Sequence, residues 1–191
     1  VVDLRVHSPA NWAHFLNSHL PMLFAVADAA GLDLGRALAL LPGDVPGYIE
    51  KAAALFGIET LATDDIVEGH GLLFDVQPWI AMRPVRADWV RLPAPAAAIS
   101  ALEAAPTDAD LPDKVFLARR KTRAVSNMDE VETLLTKKGF QTVYPEDLSP
   151  ADQVRLFRHA TDMVAIHGAG LAPLLFVTPE RGLRRLIEVL P

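Results

Sequence analysis

The sequence predicts an α/β protein built on parallel sheets, and three observations carry that prediction. Residues 111–191 alternate short apolar runs with amphipathic segments, and residues 1–75 do the same less regularly. The run Ile166-His167-Gly168-Ala169-Gly170-Leu171 puts small residues where an apolar strand would hand over to a helix. Strands separated by single helices imply parallel pairing through right-handed crossovers.

In residues 111–191 the elements follow in order. Val115-Phe116-Leu117-Ala118 reads as a strand. Met128 to Lys138 reads as a helix with Val131, Leu134 and Leu135 on one face. Asn127 is placed to cap it, with Glu130 completing a capping-box pattern, and Gly139 ends it. Phe140-Gln141-Thr142-Val143-Tyr144 is a second strand. Ser149-Pro150-Ala151-Asp152 then supplies a cap, a proline at the first helical position and a carboxylate in the first turn, opening a helix that runs to Ala160. Met163 to Ile166 is a third strand, Ala169 to Phe176 a third helix and Leu186 to Leu190 a fourth strand. Together they make a Rossmann-like half.

The first half has the same grammar with weaker signals. Val1 to Val6 reads as a strand, and Asn11 to Ala30 as a helix that Pro21 kinks or breaks. Ala37 to Leu41 is a short strand, and Pro46 to Phe56 a helix stopped by Gly57. Between Val76 and Pro112 the chain is rich in proline and alanine, which reads as a linker or irregular crossing segment. The expected domains are residues 1–95 and 96–191.

Composition narrows the function. The 191 residues are 51% hydrophobic, enough for a substantial core and unlike a disordered chain. A formal net charge of -6 argues against general nucleic-acid binding. The charge is uneven: residues 1–110 hold 6 Lys+Arg against 14 Asp+Glu, and residues 111–191 hold 12 against 10. An anionic ligand is therefore expected on the second half. The absence of cysteine excludes disulfides, thiolate catalysis and cysteine zinc sites, and fits a reducing compartment. No apolar run is long enough to span a bilayer, and no signal segment is visible. A start at Val1 and an end on an apparent strand read as a piece of a longer protein, truncated at both ends.

The chemistry gathers at the ends of the second half's strands. Small residues at a strand-to-helix turn let the backbone approach a ligand, and the helix start offers free N–H groups to a phosphate. Arg119, Arg120 and Arg123 follow the first strand of this half, at the edge where ligands of parallel sheets bind, and guanidinium forks match phosphate oxygens. Taken alone, the same residues also fit a solvated basic loop and a tightly packed turn with a core histidine. Asn127 and Glu130 read as caps. His14 and His19 are five apart, a poor spacing for a metal pair on one helical face.

At this point the residues resemble a known family. The run Arg119-Arg120-Lys121-Thr122-Arg123-Ala124-Val125-Ser126-Asn127-Met128-Asp129-Glu130 is followed by Gly139-Phe140, Pro145-Glu146-Asp147-Leu148-Ser149 and Gln153. Ala160, His167-Gly168-Ala169-Gly170-Leu171, Phe176 and Ile187-Glu188 complete the series. In order and spacing it is similar to glycosyltransferase family 61. Asn11-Trp12-Ala13-His14-Phe15, followed by Leu20-Pro21, resembles that family's helix bearing Asn, aromatics and His. Ser18 stands where family members usually carry an acidic residue, and Met22 where they usually carry Arg.

The resemblance implies a GT-B-like fold, with two Rossmann-like parallel-sheet domains facing a cleft. It also implies an inverting mechanism and a nucleotide-sugar donor held by the C-terminal domain. The function expected is sugar transfer to a glycan or polysaccharide acceptor in bacterial capsular, exopolysaccharide or LPS-type biosynthesis. The expected place is the cytoplasm, including the inner face of the membrane.

Glycosyl transfer needs a stabilised leaving diphosphate, a base for the acceptor hydroxyl and a positioned sugar. Arg119 or Arg120, and Arg123, are expected on the diphosphate, together with the backbone of Gly168, Ala169 and Gly170. His167 would hydrogen-bond the diphosphate or the sugar. Glu188 would accept ribose hydroxyls, or else pair with Arg184 or Arg185. His14 is the candidate base, with helix packing as its alternative role, and Asn11 joins the substrate-binding set. Asp108-Ala109-Asp110 looks like the metal-holding carboxylates of GT-A enzymes but reads as a solvated loop. The cations make a metal unnecessary, so no metal or other cofactor is expected. A non-catalytic nucleotide- or glycan-binding module is the alternative that Ser18 and Met22 motivate. A dinucleotide-binding oxidoreductase fits poorly, because Pro173 takes the last position of the Gly-rich pattern.

Overall fold

The computed structural model describes residues 1–6, 8–68, 89–120, 125–178, 180 and 183–190. The chain forms two compact units, Val1–Ala104 and Ala105–Pro191. The division falls later than residue 95 because a helix continues to Ala104.

The first unit holds a parallel sheet in the order β1-β2-β3: Val2–Asp3, Leu38–Leu41 and Glu59–Ala62. The strand expected over residues 1–6 is thus reduced to two residues. β3 gave no sequence signal, since Glu-Thr-Leu-Ala carries no apolar run. Its register, Leu38↔Glu59 to Leu41↔Ala62, makes it a neighbour of the apolar β2.

The helical stretch opens with α1 (Trp12–His14), continues as a π-helix over Phe15–His19 and ends as α2 (Leu20–Ala30). Pro21 therefore neither breaks nor ends the helix. It lacks an N–H and its ring crowds the carbonyl four residues back, and the wider π turn just before it gives that carbonyl room. Leu20 N–H accordingly reaches back to Phe15 O.

α3 (Gly47–Leu55) ends before Gly57, whose φ of 71° lies in the left-handed region. α4 (Pro93–Ala104) occupies part of the stretch expected to be a linker. Its prolines lie at the first positions, where no intrahelical N–H bond is lost, and alanine favours helix over the rest. Trp89 is buried, stacked on Phe24 at 5.4 Å and edge-on to Phe56 at 5.3 Å.

The second unit holds a parallel sheet in the order β5-β4-β6-β7: Gln141–Val143, Lys114–Leu117, Asp162–Ile166 and Arg185–Val189. Strand alternation sends side chains to two layers. Phe116, Ala118, Val164 and Ile166 meet Met128, Val131 and Leu135 of α5 (Met128–Lys137). Val115, Leu117, Met163 and Ala165 meet Leu156 and Phe157 of α6 (Pro150–His159), together with Leu171.

The chain leaves β4 toward β5 on one side and leaves β6 toward β7 on the other. Two adjacent strands therefore feed connections in opposite directions, and ligands of open α/β sheets bind outside the carboxyl ends at such a point.

The helix expected over Ala169–Phe176 is present with those bounds and has 3-10 geometry; Pro173 cannot donate and disfavours α geometry at Ala172. Asn127 makes no side-chain cap bond; its Nδ2 instead donates to Glu130 Oε2 at 3.2 Å.

Candidate active site

The adjacent carboxyl ends of β4 and β6 bring Arg119 to the His167 turn. Arg119 follows Ala118, whose N–H donates to Val143 O at 2.9 Å and so extends the sheet by one residue. Its guanidinium then crosses to the neighbouring strand end, and Nη1 donates to His167 O at 2.9 Å. Gly168 has φ 152° and ψ -167°, and a Cβ there would overlap the Arg119 guanidinium. Only a residue without a side chain lets the guanidinium sit in this place. Gly170 is tight for another reason: a Cβ on it would stand 3.1 Å from Pro145 Cγ.

His167 is held from several directions. Its N–H donates to Val189 O at 2.9 Å, continuing the β6–β7 ladder. Its Nδ1 meets Glu188 Oε1 at 2.7 Å, with 47% of the His side chain and 39% of the Glu side chain exposed. Glu188 thus pairs with neither Arg184 nor Arg185; Arg185 bonds Asp162 at the opposite end of the strands. Beyond His167, Gly168, Ala169 and Gly170 lead into the 3-10 helix, and the first N–H groups of a helix lack partners within it.

Arg120, the alternative to Arg119 in the sequence reading, is bonded elsewhere. It donates in bidentate fashion to Asp147 at 2.6 and 2.7 Å and lies over the Tyr144 ring at 3.8 Å. The Arg120 bonds hold the Asp147 carboxyl below its ordinary value. The Tyr144 hydroxyl in turn donates to Glu132 Oε1 at 2.6 Å. Arg123 lies outside the described residues.

Two residues shape this edge without a role assigned from sequence. Asp147 fixes Arg120, and Gln153 donates from Nε2 to Pro145 O at 2.9 Å, fastening the segment that packs on Gly170. Both stand in the series that resembles the family, and Glu146-Asp147 is an acidic pair following the strand next to the arginines.

In the first unit Asn11 Oδ1 accepts from Ala13 N at 3.0 Å and His14 N at 3.2 Å, so this side chain caps α1. His14 is partly exposed in α1. Asp110 accepts from Gln141 Nε2 at 3.0 Å in the loop ahead of β4. Among the described residues no group of three His, Asp or Glu side chains is placed to hold a metal ion, and no helix is long and apolar enough to cross a membrane.

Two parallel sheets, the second with a guanidinium, a histidine–carboxylate pair and a small-residue turn at its topological switch point, make this an α/β protein with a candidate site at the strand ends. The glycosyltransferase 61 family model matches residues 12–183, and the chain belongs to that family. Membership makes it a glycosyltransferase. None of the curated proteins matches the chain.

Proposed function

We propose that the chain carries an inverting, metal-independent transferase that moves a sugar from a nucleotide-sugar donor to a glycan acceptor in polysaccharide biosynthesis. The observation that carries this reading is the meeting of Arg119 with the His167-Gly168-Ala169-Gly170 turn between the ends of β4 and β6. A guanidinium and helix-start amides suit the negative charge that develops on a departing diphosphate. They supply the stabilisation that a divalent cation supplies in other transferases.

In this reading the second unit takes the donor, the first takes the acceptor, and the units follow a GT-B division of labour. The acceptor hydroxyl loses its proton to a base, and its oxygen attacks the anomeric carbon as the bond to the diphosphate breaks. His14 is the proposed base: a neutral imidazole accepts a proton near pH 7. Arg119 and the turn hold the diphosphate, and Arg123 is proposed beside them.

The test is calorimetric titration of the full-length protein with nucleoside diphosphates, followed by nucleotide-sugar turnover. Binding to none of the diphosphates sinks the proposal. Ser18 and Met22 favour a second reading, a binding module that keeps the fold without turnover. Diphosphate binding with no transfer to any glycan acceptor would select it.

A further inference from the structure

We propose that Glu188 is the positioning residue of His167, directing Nε2 of the ring at a phosphate oxygen of the bound diphosphate. The proposal rests on the function proposed above and assigns Glu188 a role other than ribose recognition. Three fixed points define His167: its N–H on Val189 O, its carbonyl under Arg119 Nη1, and its Nδ1 on Glu188 Oε1 at 2.7 Å. The register puts Ala165 beside Glu188 and Ile166 beside Val189, so the carboxylate rises from the neighbouring strand directly next to the imidazole.

An ionised carboxylate only accepts hydrogen bonds, so Nδ1 carries a proton whatever the charge on the ring. Nε2 is then the polar atom of the residue that these bonds leave over. Nearly half of the side chain is exposed at the carboxyl end of β6. When the ring holds its second proton, Nε2–H donates to a phosphate oxygen, and Glu188 balances the charge from behind.

Among the described residues the charged groups bonded to His167 are Glu188 on β7 and Arg119 after β4, while Arg120 at the same edge is paired with Asp147 and Glu146. Partners of this kind fix a histidine's tautomer and orientation in other sites.

Two measurements on the full-length protein test the proposal. Nitrogen-15 NMR of the neutral imidazole is expected to show the Nδ1–H tautomer for His167. Glu188→Ala should lose that preference, and Glu188→Gln should keep part of it through its amide oxygen. Calorimetry with inorganic pyrophosphate, which has no ribose, is expected to show about a tenfold loss of affinity in Glu188→Ala and a smaller loss in Glu188→Gln.

A pyrophosphate affinity that is unchanged or raised in Glu188→Ala overturns the positioning role. An Nε2–H tautomer in the wild type, with pyrophosphate bound, overturns it as well. A wild type that shows the Nδ1–H tautomer but binds neither pyrophosphate nor any nucleoside diphosphate overturns the proposed function and, with it, the ligand assigned to Nε2.

Discussion

The guanidinium of Arg119 occupies the space that a Cβ on Gly168 would fill, and from there it donates to His167 O at 2.9 Å. One glycine thereby links two strand ends: it lets a cation from the end of β4 reach the turn that follows β6. Gly168→Ala would push the guanidinium aside, and its φ of 152° is poorly tolerated by any other residue. The substitution is expected to cost about 1–3 kcal/mol of stability, read by chemical denaturation. Nucleoside diphosphate affinity should fall roughly tenfold, and Arg119→Ala should reproduce that loss without the backbone strain.

Asp152 is expected to anchor the start of α6. Its carboxylate accepts from Ser149 Oγ at 2.6 Å, Arg155 Nη1 at 2.8 Å and Thr107 Oγ1 at 2.9 Å, while its own N–H donates to Ser149 Oγ at 3.1 Å. Burial pushes the carboxyl up, but the bonds from Ser149, Arg155 and Thr107 outweigh it and hold the group below its ordinary value. A carboxyl depressed by folding stabilises the protein above its unfolded value, and that stabilisation fades as pH falls through the folded one. Asp152→Ala should therefore cost about 1–2 kcal/mol at pH 7. The gap between wild type and variant should shrink below about pH 4, checked by denaturation at several pH values.

Gln153 is buried and joins α6 to the segment beneath the Gly-rich turn. Gln153→Met keeps the volume but removes the bond at 2.9 Å, leaving Pro145 O with the Leu148 N–H alone at 3.1 Å. Loss of that bond at a half-buried carbonyl that keeps another donor is expected to cost about 0.5–1.5 kcal/mol, measured by thermal or urea unfolding. Pro145 lies against Gly170, so diphosphate affinity should weaken as well.

His14→Ala separates binding from chemistry. Diphosphate affinity should stay at the wild-type value, because the groups proposed to hold the donor belong to the second unit. Transfer should drop by about 10²- to 10⁴-fold if the imidazole is the base, measured as turnover of nucleotide-sugar with a glycan acceptor. Equal turnover in variant and wild type would remove His14 from the mechanism.

Much of the second unit was legible because its signals are local. Apolar runs such as Val115-Phe116-Leu117 and Met163-Val164-Ala165 mark strands buried on both faces, and Ser149-Pro150 marks a helix start. β3 escaped notice because an edge strand with one apolar neighbour needs little hydrophobic pattern of its own. α4 was hidden by its prolines, whose meaning depends on whether they fall at a helix start or inside it.

The sequence by itself determined the α/β class, the parallel alternation, the family pattern and the presence of arginines, a histidine and glycines at strand ends. Which of these groups meet was decided by tertiary structure. Arg119 and Arg120 are adjacent in the chain, yet one reaches the His167 turn and the other is held by Asp147. Glu188, 21 residues beyond His167, bonds its imidazole and leaves Arg184 and Arg185 aside. Strand order and register fix such pairings, and these follow from how the sheet buries both faces, which no local spacing of residues encodes.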